Sequence, residues 1–257
     1  MNGTENLAQK IADVVRSVFG KPTKSHYTAA IIVAGGSSSR MGDGISKQTL
    51  KLHGIPVVVH TLLAFEQTDS VDEIIVAAKK EELPLYESFA KDFHITKFKK
   101  AIEGGETRQQ SVKNAFSAIS DKTDFVSIHD GARCLITPEE IERVHLAAYA
   151  SGAAAAAIRA EETVKQEKSG LIEQTLDRNH IWLARTPQVF GANLYRAALA
   201  IAERDGITVT DDCALVEHIE YRIRLVECSK NNIKITTKED IPLATAILAM
   251  RETEVSP

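Results

Sequence analysis

A chain of 257 residues, 44% of them hydrophobic, can bury a sizeable core in one large domain or two small ones. The formal net charge of -4 at pH 7 gives no basic excess, so we predict no nucleic-acid partner. No apolar run reaches the length of a membrane span and the N-terminus lacks a signal peptide's apolar core, which predicts no membrane association. Three widely spaced cysteines without a C-x-x-C pair argue against disulfides or a zinc site and favour the reducing cytoplasm.

The first 25 residues are set apart from the rest of the chain by their pattern. Apolar side chains recur at helical spacing through residues 5–19, and Gly20 and Pro22 then end the periodicity. We predict an N-terminal helical extension at 1–25, followed by one domain at 26–257. The extension either docks on that domain, becomes ordered only in an oligomer, or binds a specific partner.

From residue 28, apolar runs typical of buried strands alternate with segments of helical periodicity. The strands are predicted at 28–36, 72–78, 96–105, 124–133 and 152–160, and the helices at 56–68, 81–93, 107–120 and 137–151. Thr137 and Glu140 have the spacing of a capping box at the start of the last of these helices. The alternation predicts an α/β fold, a Rossmann-like, doubly wound and mainly parallel sheet.

The alternation breaks at about residues 160–182. The segment 163–176 is typical of a β-hairpin around a Lys-Ser-Gly turn, and it would project from the core as an arm. Because a lone hairpin is only marginally stable, a second subunit is a natural surface for it. The chain then continues with the segment TPQVF at 186–190, a helix at 191–206, a polar stretch at 208–219, a strand at 222–228 and a last helix from Lys238.

The first predicted strand runs into the loop AGGSSSRMGDGISKQ, residues 34–48. Gly35 and Gly36 can offer backbone N–H groups to an anion, Arg40 can grip a phosphate through two hydrogen bonds, and Lys47 adds a point charge. Neither the P-loop pattern nor G-x-G-x-x-G fits this loop. It therefore indicates a phosphate site of another kind, against the alternative of a solvated surface turn.

Two further strands end in glycine-containing polar turns, EGGETRQQS at 103–111 and SIHDGAR at 127–133. In the first, Ser111 can face the same crevice, unless the turn is a plain βα connection capped by Thr107. In the second, Asp130 can coordinate Mg²⁺ and Arg133 can hold an anion, whereas His129 is better explained as a structural hydrogen-bonding residue. Cations, one carboxylate and glycine turns suit phosphoryl or nucleotidyl transfer.

Six motifs in this order closely resemble the 2-C-methyl-D-erythritol 4-phosphate cytidylyltransferase family of the non-mevalonate isoprenoid pathway. They are AGGSSSRMGDGISKQ, EGGETRQQSV, HDGAR, TLDRN, TPQVF and NNIKITTKED, and the resemblance covers roughly residues 28–250. It implies transfer of a cytidylyl group from CTP to methylerythritol 4-phosphate with release of pyrophosphate, in the presence of Mg²⁺. The phosphate oxygen of the acceptor is expected to attack the α-phosphorus in line.

The resemblance also implies roles for individual residues. Those matching the catalytic positions, which neutralise the triphosphate or position the acceptor, are Arg40, Lys47 and Lys234. Those matching the nucleotide site are Ala34, Gly35, Gly36, Gly105, Glu106 and Ser111, and Asp130 matches the Mg²⁺ ligand. Those matching the acceptor site are Arg133, Thr163, Arg178, Thr186 and Thr210, of which Thr163 and Arg178 lie on the arm and would reach the neighbouring subunit of a homodimer.

Four positions depart from the usual family pattern, one of them Glu162, which stands before Thr163 where the family often has an aspartate. Ser46 stands where the family usually has the proline before the lysine, and Gly131 and Cys134 replace an alanine and a proline in HDAARP. These changes put the geometry of both loops in doubt without removing a charged group. The nearest alternative is ribitol-5-phosphate or another polyol-phosphate cytidylyltransferase; a non-catalytic nucleotide-binding module and a dehydrogenase are more distant ones.

Overall fold

The computed structural model describes residues 26–36 and 48–255. The predicted N-terminal helix, Arg40 and Lys47 lie outside these residues. The strands are β1 Thr28–Val33, β2 Lys51–Leu52, β3 Ile55–Pro56, β4 Glu73–Ala78, β5 Phe98–Glu103, β6 Phe125–Asp130, β7 Ala153–Arg159, β8 Lys165–Lys168, β9 Leu171–Thr175, β10 Trp182–Gly191 and β11 Arg224–Glu227. The helices are α1 Val57–Gln67, α2 Leu83–Asp92, α3 Arg108–Phe116, α4 Pro138–Ser151, α5 Ala192–Asp205, α6 Asp212–His218 and α7 Asp240–Val255.

In the described part of the chain, the main sheet has seven strands in the order β11-β7-β10-β6-β1-β4-β5. The pairs β1–β4, β1–β6, β4–β5 and β7–β11 are parallel, and β10 runs antiparallel to both β6 and β7. The chain moves outward from β1 to β4 and β5 and then returns to β6 on the other side of β1. This reversal is the point at which doubly wound sheets bind ligands, and it confirms the predicted fold class.

Helices cover both faces of the sheet because side chains along each strand alternate between the faces. Ile31 of β1 packs with α3, α5 and α6, whereas its neighbours Ala30 and Ile32 pack with α1, α2 and α4. The predicted capping box forms at the start of α4, where the Thr137 and Glu140 side chains each bond the other residue's backbone N–H. Among the described residues, no helix combines the length and apolar character that a membrane span requires.

The hairpin predicted at 163–176 is present as β8 and β9, and every residue of both strands is exposed. Ser169 and Gly170 form its turn with positive φ angles of 53° and 80°. Several elements were not predicted. The polar stretch 208–219 contains α6, whose N-cap Asp211 accepts from Ala214 N, and the segment 186–190 is part of a strand that extends over Trp182–Gly191. The short strands β2 and β3 were not predicted either.

Candidate active site

A cavity of about 320 Å³ opens at the carboxyl edge of the sheet, beside the point where the strand order reverses. The residues that follow β1, β4 and β5 meet there with the last residue of β6, because parallel strands end at the same edge. Seven of the residues singled out from the sequence line the cavity: Gly35, Gly36, Gly105, Glu106, Ser111, Asp130 and Lys234. The structure thus brings the three glycine-containing turns into one site.

The turn after β5 is shaped by two glycines and one serine. A Cβ atom on Gly104 would lie 2.8 Å from Ser111 Oγ, and one on Gly105 would lie 2.0 Å from Gln110 Cγ. Ser111 Oγ accepts a hydrogen bond from Gly105 N at 3.0 Å and donates one to the Thr107 carbonyl at 2.9 Å. Ser111 therefore holds the turn against the start of α3, while Thr107 caps that helix through Gln110 N.

Within the described residues, three cations contact Asp130. Its Oδ1 lies 3.3 Å from Arg108 Nε, and its Oδ2 lies 3.3 Å from Arg133 Nε and 2.9 Å from Lys234 Nζ. Burial alone would raise the pKa of this carboxyl, but Lys234, Arg108 and Arg133 together hold the pKa well below its usual range. Asp130 is consequently an anion whose two oxygens are both oriented by fixed positive charges.

His129 and Thr186 form a hydrogen-bonded layer behind Asp130. Burial lowers the pKa of His129 to about 3, so the imidazole is neutral. Its Nε2 contacts the Arg133 carbonyl at 3.2 Å and must donate there, so Nδ1 accepts from Thr186 Oγ1 at 3.0 Å. Thr186 Oγ1 in turn accepts from Asp130 N at 3.1 Å. The predicted structural role of His129 fits these contacts, and the Thr186 hydroxyl serves the same network.

Four further predicted residues, Ala34, Thr163, Arg178 and Thr210, are not among those that line the cavity. Ala34 is buried at the end of β1, and its N–H donates to the Ala77 carbonyl. Thr210 is exposed and lies two residues before α6. Thr163 and Arg178 flank the hairpin, with Arg178 Nη1 donating to the Glu161 carbonyl at 2.6 Å. Within the described part of the chain, neither arm residue lines the cavity.

Similarity to known proteins identifies the family of this chain. The family model described as IspD, 2-C-methyl-D-erythritol 4-phosphate cytidylyltransferase, matches residues 28–250. The chain belongs to this family. Two relatives have the same description. The protein of Syntrophus aciditrophicus is 41% identical to this chain, over 87% of this chain and 96% of the relative. The protein of Geobacillus kaustophilus is 38% identical, over 88% of this chain and 98% of the relative.

Solved structures of IspD proteins have the same fold. The 4-diphosphocytidyl-2C-methyl-D-erythritol synthase of Anaerococcus prevotii superposes with a TM-score of 0.79 at 26% identity, over 87% of this chain and 96% of the other. The cytidylyltransferase of Francisella tularensis gives a TM-score of 0.72 at 32% identity, over 86% and 99%. The similarity therefore extends over nearly the whole length of both relatives.

Two of the departures from the usual IspD pattern have a structural explanation in this chain. A Cβ atom on Gly131 would lie 3.2 Å from Gln48 Oε1 and 3.3 Å from both Ile32 Cγ2 and the Val33 carbonyl, so the glycine leaves room for these neighbours. Cys134 is buried in an apolar cluster with Leu52 and Leu135, and burial raises the pKa of its thiol to about 12. Cys134 is thus a packing residue without thiolate character. Ser46 lies outside the described residues.

Sequence reasoning missed several residues of the site, most importantly Arg108 and Asp212. Arg108 lies in the motif EGGETRQQS, directly after the helix cap Thr107. A cation at that position, beside a glycine turn, could have indicated a site residue. Asp212 lies two residues after Thr210, in the polar stretch 208–219, for which no secondary structure was predicted. Lys79, directly after β4, and Gln48 also line the cavity. No local pattern identified these two.

Proposed function

We propose that this chain transfers the cytidylyl group of CTP to 2-C-methyl-D-erythritol 4-phosphate, giving 4-diphosphocytidyl-2-C-methyl-D-erythritol and pyrophosphate. One observation carries the proposal: the anionic Asp130 lies among Arg108, Arg133 and Lys234. This cluster lies beside the point where the strand order reverses, in a chain of the IspD family. These three cations outnumber the two carboxylates that they contact, Asp130 and Asp212. The surplus of positive charge suits a site that receives phosphates.

The reaction joins an oxygen of the acceptor phosphate to the α-phosphorus of CTP and breaks the bond from that phosphorus to the oxygen bridging it to the β-phosphate. The protein's part is to align the two phosphates and neutralise their charge. We assign Gly35, Gly105 and Glu106 to the nucleoside side of the cavity, and Arg133 and Lys234 to the acceptor side. Arg40 and Lys47, outside the described residues, are proposed to hold the triphosphate.

The donor set at Asp130 fits a magnesium ion shared with substrate. Within residues 26–36 and 48–255, no three His, Cys, Asp or Glu side chains are grouped to hold a metal. Mg²⁺ characteristically takes one or two carboxylates and fills its shell with water and substrate phosphates. We propose that Asp130 is that carboxylate. When bound, the ion would neutralise charge on the phosphates of CTP.

We infer a homodimer formed through the arm. Leu171 and Ile172 of β9 are 74% and 67% exposed, an apolar surface that a projecting hairpin does not cover by itself. If a partner subunit lies on this surface, Thr163 and Arg178 of the first subunit would come close to the cavity of the partner. We further propose a cytoplasmic location, where CTP is made and where three unpaired cysteines remain reduced.

Replacing both Leu171 and Ile172 by aspartate is expected to convert the dimer into monomers, because each apolar contact becomes a buried charge. Light scattering coupled to size-exclusion chromatography measures the mass. Leu243→Asp, which alters an exposed leucine on α7, is the matched control and should remain dimeric. A wild-type monomer, or a dimer that survives the double substitution, would contradict the arm's role.

The function itself is tested by pyrophosphate release from CTP and Mg²⁺, with methylerythritol 4-phosphate and ribitol 5-phosphate assayed side by side. We expect turnover with the first acceptor and a kcat/KM at least about 10²-fold lower with the second, since misaligned phosphates lose most of the positional advantage. Comparable turnover of ribitol 5-phosphate would favour the other polyol-phosphate cytidylyltransferases. Absence of product with both acceptors would refute the proposal.

A further inference from the structure

Arg108 connects two carboxylates that belong to different parts of the fold. It is the first residue of α3, and its side chain is 25% exposed at the cavity wall. Its Nε lies 3.3 Å from Asp130 Oδ1, at the end of β6, and its Nη1 lies 2.6 Å from Asp212 Oδ2, at the start of α6. One guanidinium thus connects the turn after β5, the carboxylate of Asp130 and the segment that contains Thr210.

Asp212 is fixed from several directions. Its side chain is 1% exposed, and its Oδ1 accepts a hydrogen bond from Tyr195 OH at 2.6 Å. Its backbone N–H and that of Cys213 donate to Gln188 Oε1 at 2.9 and 3.0 Å. Gln188 Nε2 in turn donates to Asp211 Oδ2 at 2.8 Å. The start of α6 is therefore held to β10 and α5, and the Arg108 contact ties this assembly to Asp130.

Stability alone does not account for such an arrangement. A buried ion pair contributes little net stability compared with apolar side chains of the same size, because desolvation of both charges offsets their attraction. What the pair does provide is direction, since a guanidinium bonds two carboxylates only in defined orientations. Arg108 engages Asp130 through Oδ1, whereas Arg133 and Lys234 engage Oδ2, so the plane of the carboxylate is fixed from both sides.

We propose that Arg108 is a positioning residue for the acceptor side of the site: it orients Asp130 and, through Asp212, sets the position of residues 208–212 and hence of Thr210. The inference rests on the proposed function, because it assigns Thr210 to the acceptor side. Arg108 acts through Asp212 and Tyr195, which do not line the cavity. Substitutions at these two residues should therefore affect the reaction only by changing the positions of Arg108 and Thr210.

The test compares the KM values of the two substrates in Asp212→Asn and Tyr195→Phe. We expect Asp212→Asn to raise the KM of the acceptor by about tenfold and Tyr195→Phe by about threefold, with the KM of CTP changed less than about twofold. Tyr195→Phe removes only the hydroxyl and keeps the ring stacked on Phe190, so it remains informative if Asp212→Asn folds poorly. Lys113→Met is the control, because Lys113 lies on α3, like Arg108, and the change breaks only an exposed ion pair with Glu203 of α5.

Arg108→Met and the double variant Arg108→Met/Asp212→Asn complete the test. We expect the double variant to have the acceptor KM of Arg108→Met, since without Arg108 the second change removes no ion pair, and asparagine keeps the Oδ1 that accepts from Tyr195 OH. Equal rises in both KM values, or acceptor KM values like wild type in Asp212→Asn and Tyr195→Phe, would overturn the positioning role. Wild-type protein that gives no product would instead show that the proposed function has failed.

Discussion

Replacing Asp130 by asparagine is expected to lower kcat by at least about 10³-fold, the scale for losing the charged anchor of a transferring phosphate. The amide keeps the shape of the side chain but removes the anion that Arg108, Arg133 and Lys234 surround. It also removes the carboxylate assigned to the magnesium ion. The measurement is kcat at saturating CTP and acceptor, over a series of Mg²⁺ concentrations.

The control for this substitution separates catalysis from folding. Asp121→Asn changes an exposed acid in the turn after α3 and should leave kcat unchanged. Asp130→Asn removes the carboxylate that Arg133, Lys234 and Arg108 share, although Arg108 keeps Asp212, and is expected to lower the unfolding free energy by about 3–5 kcal/mol. A thermal melt must therefore show that the assayed variant is folded. A folded Asp130→Asn variant with kcat within tenfold of wild type would contradict the role given to this residue.

Lys234→Met is expected to lower kcat/KM for the acceptor by about 10²–10³-fold, the scale for removing one donor that faces developing charge. Lys234 Nζ lies 2.9 Å from Asp130 Oδ2 with its side chain 34% exposed, so it can contact both the carboxylate and a ligand in the cavity. Ile235 N donates to the Ala132 carbonyl at 2.9 Å, and Asn232 Nδ2 donates to the Thr186 carbonyl at 3.0 Å. These bonds hold the segment at the site.

Lys230→Met is the matched control for Lys234→Met. Lys230 lies four residues earlier in the same segment, and its ammonium pairs with Glu161 at the surface. Exposed pairs of this kind contribute about 0–1 kcal/mol, so the control should retain both kcat and the acceptor KM. If the two methionine variants lose activity equally, the effect belongs to the general charge of the segment and not to the contact of Lys234 with Asp130.

The turn at Gly104 and Gly105 could be predicted from the sequence, whereas the contacts of Asp130 could not. A strand ending in two glycines followed by a helix cap predicts a tight turn at a sheet edge, and the turn at Gly104 and Gly105 has that form, with Thr107 as the cap. The partners of Asp130 could not be predicted in the same way. Of its three cations only Arg133 is near in sequence, while Arg108 and Lys234 arrive from α3 and from the segment before α7.

The sequence by itself determined the alternating α/β pattern, the capping box of α4, the hairpin and the family. All of these depend on spacing between residues a few positions apart, where backbone geometry links sequence directly to local structure. Tertiary structure decided that β10 pairs antiparallel with β6 and β7, and that Arg108 meets Asp212 across 104 residues of chain. Such pairings depend on how whole elements pack in three dimensions, and no local pattern of residue types encodes them.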